Sequence, residues 1–168
     1  MTTTTAYAGT FLTVEHRQAL LPNGRSVQVE CVNHPGAVLI VPFASPQRVI
    51  LLRQYRPVIE DWLYELPAGT IEQGEKPLAC ARREIIEETG FRAGIMRRIG
   101  RIYPVPGYST EIITMFAAER LTRVGMACED DEVIEPLIFN KKAVRELFQH
   151  GRLIDAKTIC GLALCGWL

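Results

Sequence analysis

Three carboxylates, Glu84, Glu87 and Glu88, stand at i, i+3 and i+4 in a stretch that holds no glycine or proline between Leu78 and Thr89. On a helix that spacing puts them on one face, close to each other. There they repel, and they fall in the last two turns, where the helix dipole disfavours each anion by ~0.3–1 kcal/mol. One explanation is a solvated acidic face paired with the adjacent Arg82 and Arg83, an arrangement worth little to stability. The other is a site for a hard divalent cation such as Mg²⁺, which takes carboxylate oxygens in near-octahedral geometry and turns the repulsion into binding.

The flanking residues say what must position these groups. Pro77 suits the first turn of a helix and Gly90 a left-handed C-terminal cap, so the spacing predicts a helix from Lys76 to Thr89. Pro67-Ala-Gly69 ends a short strand, Trp62 to Leu66, and opens a loop. Gly69 permits a tight loop, Glu75 can brace it, and Arg83 can pair with Glu75 behind the metal face.

From Gly69 to Phe91 the sequence reads Gly-x5-Glu-x7-Arg-Glu-U-x-Glu-Glu-x-Gly-U, where U is a bulky aliphatic or aromatic residue, here Ile85 and Phe91. This segment resembles the Nudix box at all nine of its defined places. The resemblance implies Mg²⁺ (or Mn²⁺) held by Glu84 and Glu88, by Glu87 as a further ligand or partner, and by the carbonyl of Ala68. Arg83 braces this catalytic group. It also implies hydrolysis of a nucleoside diphosphate linked to some group X, by a water activated beside the cation, into two phosphorylated halves.

Outside the box, Asn33-His-Pro-Gly-Ala-Val38, Arg53-Gln-Tyr-Arg56, Tyr64-Glu-Leu-Pro-Ala-Gly69 and Pro106-Gly-Tyr-Ser-Thr-Glu111 resemble the ADP-ribose pyrophosphatase branch of that family, and the resemblance runs from Phe11 to Trp167. Pro106 lies sixteen residues beyond Gly90, a mark of the branch. Tyr108-Ser-Thr-Glu111 departs from the usual Phe-Ser-Asp-Glu, and Val105 replaces a typical serine, which bears on the sugar more than on the reaction. The substrate candidates are Pro106, Tyr108, Glu111, Trp62, Arg53 and Arg56. Arg offers a planar fork for phosphate oxygens, and Arg56 is the preferred contact, against the reading of a surface cation at a strand end. Trp62 and Tyr108 would stack on a base or close the sugar site, or simply pack.

Glu129-Asp-Asp-Glu132 is either a solvated charge run or a catalytic loop. The resemblance places there an acidic loop supplying the general base or a further metal ligand, with Glu132 the first candidate and Asp130 the second. It also implies a homodimer in which an N-terminal hairpin crosses to the partner. The leading expectation is hydrolysis of ADP-ribose or a related nucleoside diphosphate sugar to a nucleoside monophosphate and a sugar phosphate. The rivals are GDP-mannose or broad nucleotide-sugar hydrolysis, then nucleoside triphosphate pyrophosphohydrolysis. A ligand-sensing module without catalysis would carry a degraded box and an attached DNA-binding domain.

At 168 residues the chain suits one compact unit. Asn23-Gly24, between β-rich runs Thr10 to Glu15 and Ser26 to Val32, predicts a hairpin arm over 1–34, followed by the hydrolase domain over 35–168. Further strands are expected at Ala37 to Phe43, Arg48 to Tyr55, Arg97 to Tyr103, Ile112 to Glu119 and Val133 to Phe139, with helices at Lys141 to His150 and Ala156 to Trp167, capped by Asn140 and Asp155. Strands and helices interleave without a βαβ rhythm, so the expected class is α/β (α+β), a mixed sheet sandwiched between helices. Nineteen cationic and nineteen acidic residues cancel, leaving no global field for nucleic acid or anionic membrane. The five cysteines show no Cys-x-x-Cys pair, no apolar run reaches the ~20 residues of a membrane span, and the N-terminus carries no secretory pattern, so a cytoplasmic location is expected.

Overall fold

The computed structural model describes residues 3–9, 12–127 and 132–168. The chain builds two sheets. In the first, β1 (Thr3–Ala8), β2 (Thr13–Leu20) and β3 (Ser26–Asn33) form an antiparallel meander. The expected turn is present, with the Gly24 amide donating to the Leu21 carbonyl at 2.9 Å and Gly24 at φ 81°. The arm is nevertheless three strands rather than a hairpin. Thr3, Thr4 and Thr5 are β-branched residues that pair along β2.

The second sheet runs β10-β5-β4-β9-β8, from β4 (Ala37–Ser45), β5 (Arg48–Arg56), β8 (Phe91–Ile102), β9 (Ile113–Arg123) and β10 (Ile134–Asn140). Short strands β6 (Asp61–Glu65) and β7 (Ala68–Thr70) attach to β5 and β4. Among the described residues only the β4–β9 strand pairing of this sheet is parallel, so the sheet is mixed as expected. Strand β8 begins six residues earlier than its sequence suggests: Phe91-Arg-Ala-Gly is a poor strand former alone, and the long pairing with β9 overrides that weakness. Strand β7 holds a glycine and follows a proline, which reads as loop until β4 is there to pair with it.

β4 explains the layering. It is buried from Ala37 to Pro42, and its side chains alternate between faces. Leu39 and Val41 join Leu51, Leu66, Met115 and Leu162 under α2 (Lys141–Gln149) and α3 (Ala156–Leu164). Val38 and Ile40 join Cys80, Ala81, Ile85 and Phe116 under α1 (Pro77–Thr89). Helix α1 has Pro77 in its first turn and Gly90 at φ 74°, donating to the Ile86 carbonyl. Asn140 and Asp155 cap α2 and α3 by accepting from the Ala143 and Thr158 amides. Among the described residues no helix is long and apolar enough to cross a membrane.

Candidate active site

Two of the three acidic residues of α1, Glu84 and Glu88, do not face open water, while Glu87 is half-buried. Glu84 is 9% and Glu88 2% exposed, because they share the inward face with Cys80, Ala81 and Ile85. Glu88 accepts from the Ala68 amide at 2.9 Å. The β7 bonds from Ile40 N to the Pro67 carbonyl and from Ile71 N to the Gly36 carbonyl put Ala68 at a position that does not bond β4. Its amide and carbonyl therefore both point away from β4, on the side where Glu88 lies. Gly69 follows, and its role differs from the expected tight turn: a Cβ there would sit 1.8 Å from Glu84 Oε1. Glycine is required because the carboxylate packs against its backbone.

Arg83 organises the near side. Its Nε and Nη2 donate to the two Glu75 oxygens at 3.2 and 3.1 Å, which fixes the loop. Its Nη1 donates to Glu84 at 2.7 Å and to Glu87 at 2.9 Å. Arg83 is thus not behind the acidic face but across it. Arg82 turns away to the Ala93 carbonyl, so the reading of an acidic face paired with both arginines does not hold.

Burial, only partly offset by Arg83, pushes the Glu84 carboxyl up to about 7, with Glu87 and Glu132 adding to the rise. Burial also raises Glu88 well above the usual carboxylate range; the Ala68 hydrogen bond and Arg56 oppose this, and Glu84 and Glu132 reinforce it. These acids are short of positive charge. Among the described residues no three acidic, histidine or cysteine side chains are grouped so as to hold a metal ion. The donors nonetheless suit a hard cation: carboxylate oxygens, with a backbone carbonyl beside them and no sulfur or nitrogen among them.

Two open cavities of about 420 Å³ each meet here. The acidic one is walled by Glu84, Glu87, Glu132, Arg83 and Glu72. The other is walled by Val32, His34, Tyr108, Ser109, Glu111 and Lys157, among others. Arg56, Ala68, Gly69 and Thr70 belong to both, and form the shared wall. The loop carrying Tyr108 and Ser109 is stitched to β3, with Val32 N donating to the Tyr108 carbonyl at 2.7 Å and Thr110 N to the Val32 carbonyl at 3.0 Å. Pro106 sits in the turn that presents these residues rather than in the wall.

Residues 33–156, the stretch that builds both cavities apart from the arm and Lys157, match the NUDIX domain. The chain belongs to the NUDIX family. It is 36% identical over 140 residues to the ADP-ribose pyrophosphatase of Bacillus subtilis (strain 168), covering 82% of this chain and 76% of that protein. It is 34% identical over 136 residues to the GDP-mannose pyrophosphatase of Salmonella typhimurium, covering 74% of this chain and 69% of that protein. The crystal structure of an ADP compounds hydrolase superposes with a TM-score of 0.85 at 23% identity, over 98% of this chain and 90% of that one, and shares the fold.

The NUDIX domain brings Ala68, Glu84, Glu87, Arg83, Glu132 and Arg56 around one cavity and Tyr108 and Glu111 around the adjoining one. It brings neither Arg53, Trp62 nor Pro106 to either wall, and Glu88 lines neither, meeting the shared wall at the Ala68 amide. Arg53 and Arg56 are three apart on a period-two strand, so they leave opposite faces. The Arg53 guanidinium lies 4.1 Å over the Trp62 ring centre and pairs with Glu135 at 3.1 Å, while Tyr55 meets Trp62 edge-on at 5.7 Å. Asp130 lies outside the described residues.

Sequence reasoning missed the setting of Arg56. Glu65, 1% exposed, accepts from Arg56 Nε and Nη2 at 2.7 and 2.8 Å and from Lys157 Nζ. Burial alone would raise Glu65, but Arg56 and Lys157 outweigh it and hold the carboxyl below its usual range. One signal was available: Lys157 is in the first turn of α3, the end of a helix that disfavours a cation.

Proposed function

We propose that the chain hydrolyses the diphosphate bond of ADP-ribose or a related nucleoside diphosphate sugar, giving a nucleoside monophosphate and a sugar phosphate. The observation that carries this reading is the shared wall: one cavity of desolvated carboxylates opens onto a second, more apolar one beside Tyr108, across a strip that holds Arg56. A diphosphate between two bulky groups has that shape. The relatives named for ADP-ribose and GDP-mannose cleavage support the same substrate class.

Ala68 through its carbonyl, Glu84 and Glu88, with Glu87 beside them, would hold Mg²⁺ or Mn²⁺. A cation bound there would supply positive charge against the diphosphate and Lewis acidity toward a water. Glu132 faces the same cavity and would serve as general base toward an attacking water, with Asp130 the second candidate for this role. Arg83 holds Glu75 and aligns Glu84 and Glu87. Arg56 has two of its five N–H groups committed to Glu65, and the remainder are available to phosphate oxygens at the shared wall. Tyr108 and Glu111 orient the nucleoside or sugar half. Arg53 and Trp62 reach substrate only if a second copy of the chain completes the site.

A homodimer is part of this reading. Strand β1 is exposed along its whole length, with Tyr7 62% and, on β2, Leu20 68% exposed, a surface that a second copy would cover. The arm over 1–34 is then the exchanged piece and 35–168 the catalytic unit, working in the cytoplasm. Purified protein with Mg²⁺ should cleave ADP-ribose to AMP and ribose phosphate faster than it cleaves any deoxynucleoside triphosphate. Preference for triphosphates would reject the reading, and faster cleavage of GDP-mannose would move the sugar assignment.

A further inference from the structure

We infer that a third cavity, between β8 and the start of α1, binds a phosphate-bearing small molecule at a site separate from the two cavities described above. It holds about 580 Å³ and sets Lys76, Arg98 and Arg101 around an apolar floor of Ile71, Ile112 and Phe116. Among the described residues of its wall there is no aspartate or glutamate. Nor does any of the three cations have a carboxylate partner among the described residues, whereas Arg53, Arg56, Arg83 and Lys157 each have one.

The ordinary period of a strand would not bring these arginines together. Arg98 and Arg101 are three apart, so, like Arg53 and Arg56, they would leave opposite faces. In β8, however, the register slips: Arg98 pairs with Phe116, Gly100 with Met115 and Arg101 with Thr114. Ile99 is the extra residue of a β-bulge, which re-aims the side chains around it. Phe116 and Thr114 are two apart on β9 and both line the cavity, so the bulge turns both arginines onto the cavity face. Lys76 comes from the opposite wall as the N-cap of α1; its side chain caps nothing, and the first turn holds no acid. The positive end of the helix dipole therefore adds to three side-chain charges. The chain's charges cancel overall, so this is a local concentration, in a volume that suits a small ligand rather than a macromolecule. Guanidinium forks match phosphate oxygens, and the floor would take the uncharged remainder. Ile71 also borders the acidic cavity, so the two sites are neighbours across one side chain.

The test is an NMR titration in EDTA of the natural protein and the double variant Arg98→Gln/Arg101→Gln with AMP, ribose 5-phosphate and adenosine. At least one of the two phosphates should shift the Leu78, Thr114 and Phe116 amides saturably, the tighter one showing which uncharged part the floor accepts, and adenosine should leave them in place. Loss of the charge-assisted contacts should weaken that binding about tenfold in the glutamine variant. Arg98→Lys/Arg101→Lys should recover most of it. No saturable shift with either phosphate, or equal affinity in the natural protein and the glutamine variant, would overturn the inference. With Mg²⁺ and no added phosphate, the glutamine variant should keep kcat and KM within about twofold; a larger loss would put these arginines in the catalytic site and overturn their separate role.

Should the glutamine variant not fold, phenylglyoxal labelling of arginine in the natural protein, read by mass spectrometry, decides the same question. The phosphate that binds should protect Arg98 and Arg101 and adenosine should not; equal labelling with all three compounds overturns the inference. The site is independent of the hydrolase reading: a natural protein that cleaves no nucleoside diphosphate sugar would sink that reading, while the titration in EDTA still decides whether this cavity takes phosphate.

Discussion

Glu65 and Glu88 are buried to the same degree, at 1% and 2% exposure, yet they sit in opposite electrostatic states. Glu65 has an arginine and a lysine on its two oxygens and titrates below its usual range. Glu88 has one backbone amide, with Glu84 and Glu132 adding negative charge, and titrates far above it. The protein thus supplies counter-charge where a carboxylate is to be a fixed part of the frame and withholds it where a cation is to be taken up. A buried acid without its partner costs stability, and that cost marks the site more sharply than acidity alone.

The strongest way to break this comparison is to neutralise Glu88. Glu88→Gln keeps the shape, and Gln can still accept from the Ala68 amide. Activity should fall by at least about 100-fold, the scale of losing a metal-site group, while thermal stability in EDTA stays level or rises because a buried charge is gone. Near-normal turnover of Glu88→Gln would remove it from the ligand set. Glu65→Gln should do the reverse in stability, leaving Arg56 and Lys157 short of a partner. Breaking a buried pair costs about 3–5 kcal/mol, reduced here to about 2 because the Arg56 side chain is 38% exposed. Urea denaturation of the two variants side by side measures the contrast, and equal unfolding midpoints would erase it.

The sequence carried one half of this comparison openly and hid the other. The α1 acids are legible because their spacing, Pro77 and Gly90 lie within a single helix, where local rules apply. The same locality made the caps Asn140 and Asp155 and the turn at Gly24 readable. The Glu65–Lys157 contact joins residues far apart in the chain, and Glu65 in isolation is only the last residue of a short strand. Strand β7 was invisible for the same reason: its own residues are indifferent, and its partner β4 decides. Gly69 was read as a turn glycine although what it meets is Glu84, again a tertiary fact. Arg56 was already preferred over Arg53 from the sequence, and strand alternation supplies the physical reason that separates them.

The smallest expected effect is in the pH dependence of stability without metal, and it tests the sign of the comparison. The Glu84 carboxyl is raised to about 7 from an ordinary 4.5, so the folded state holds its proton more tightly than the unfolded chain does. Its contribution is fully present below the ordinary value and is lost as pH rises through 7. Glu65, lowered, has the opposite dependence: its contribution is present above the ordinary range and lost as pH falls through its depressed value. Between pH 5 and pH 8 the Glu65 contribution is constant, while Glu88, also raised, changes in the same direction as Glu84, so the comparison with Glu84→Gln isolates the Glu84 part. In EDTA the natural protein should therefore lose on the order of 1 kcal/mol relative to Glu84→Gln across that interval, a shift of about 2–4 °C in the difference of melting temperatures. Added Mg²⁺ should abolish the drift, because a bound cation favours the ionised carboxylate at every pH in the range. Parallel melting curves for the two proteins in EDTA would mean that Arg83 already neutralises Glu84, and the contrast with Glu65 would then rest on Glu88 alone.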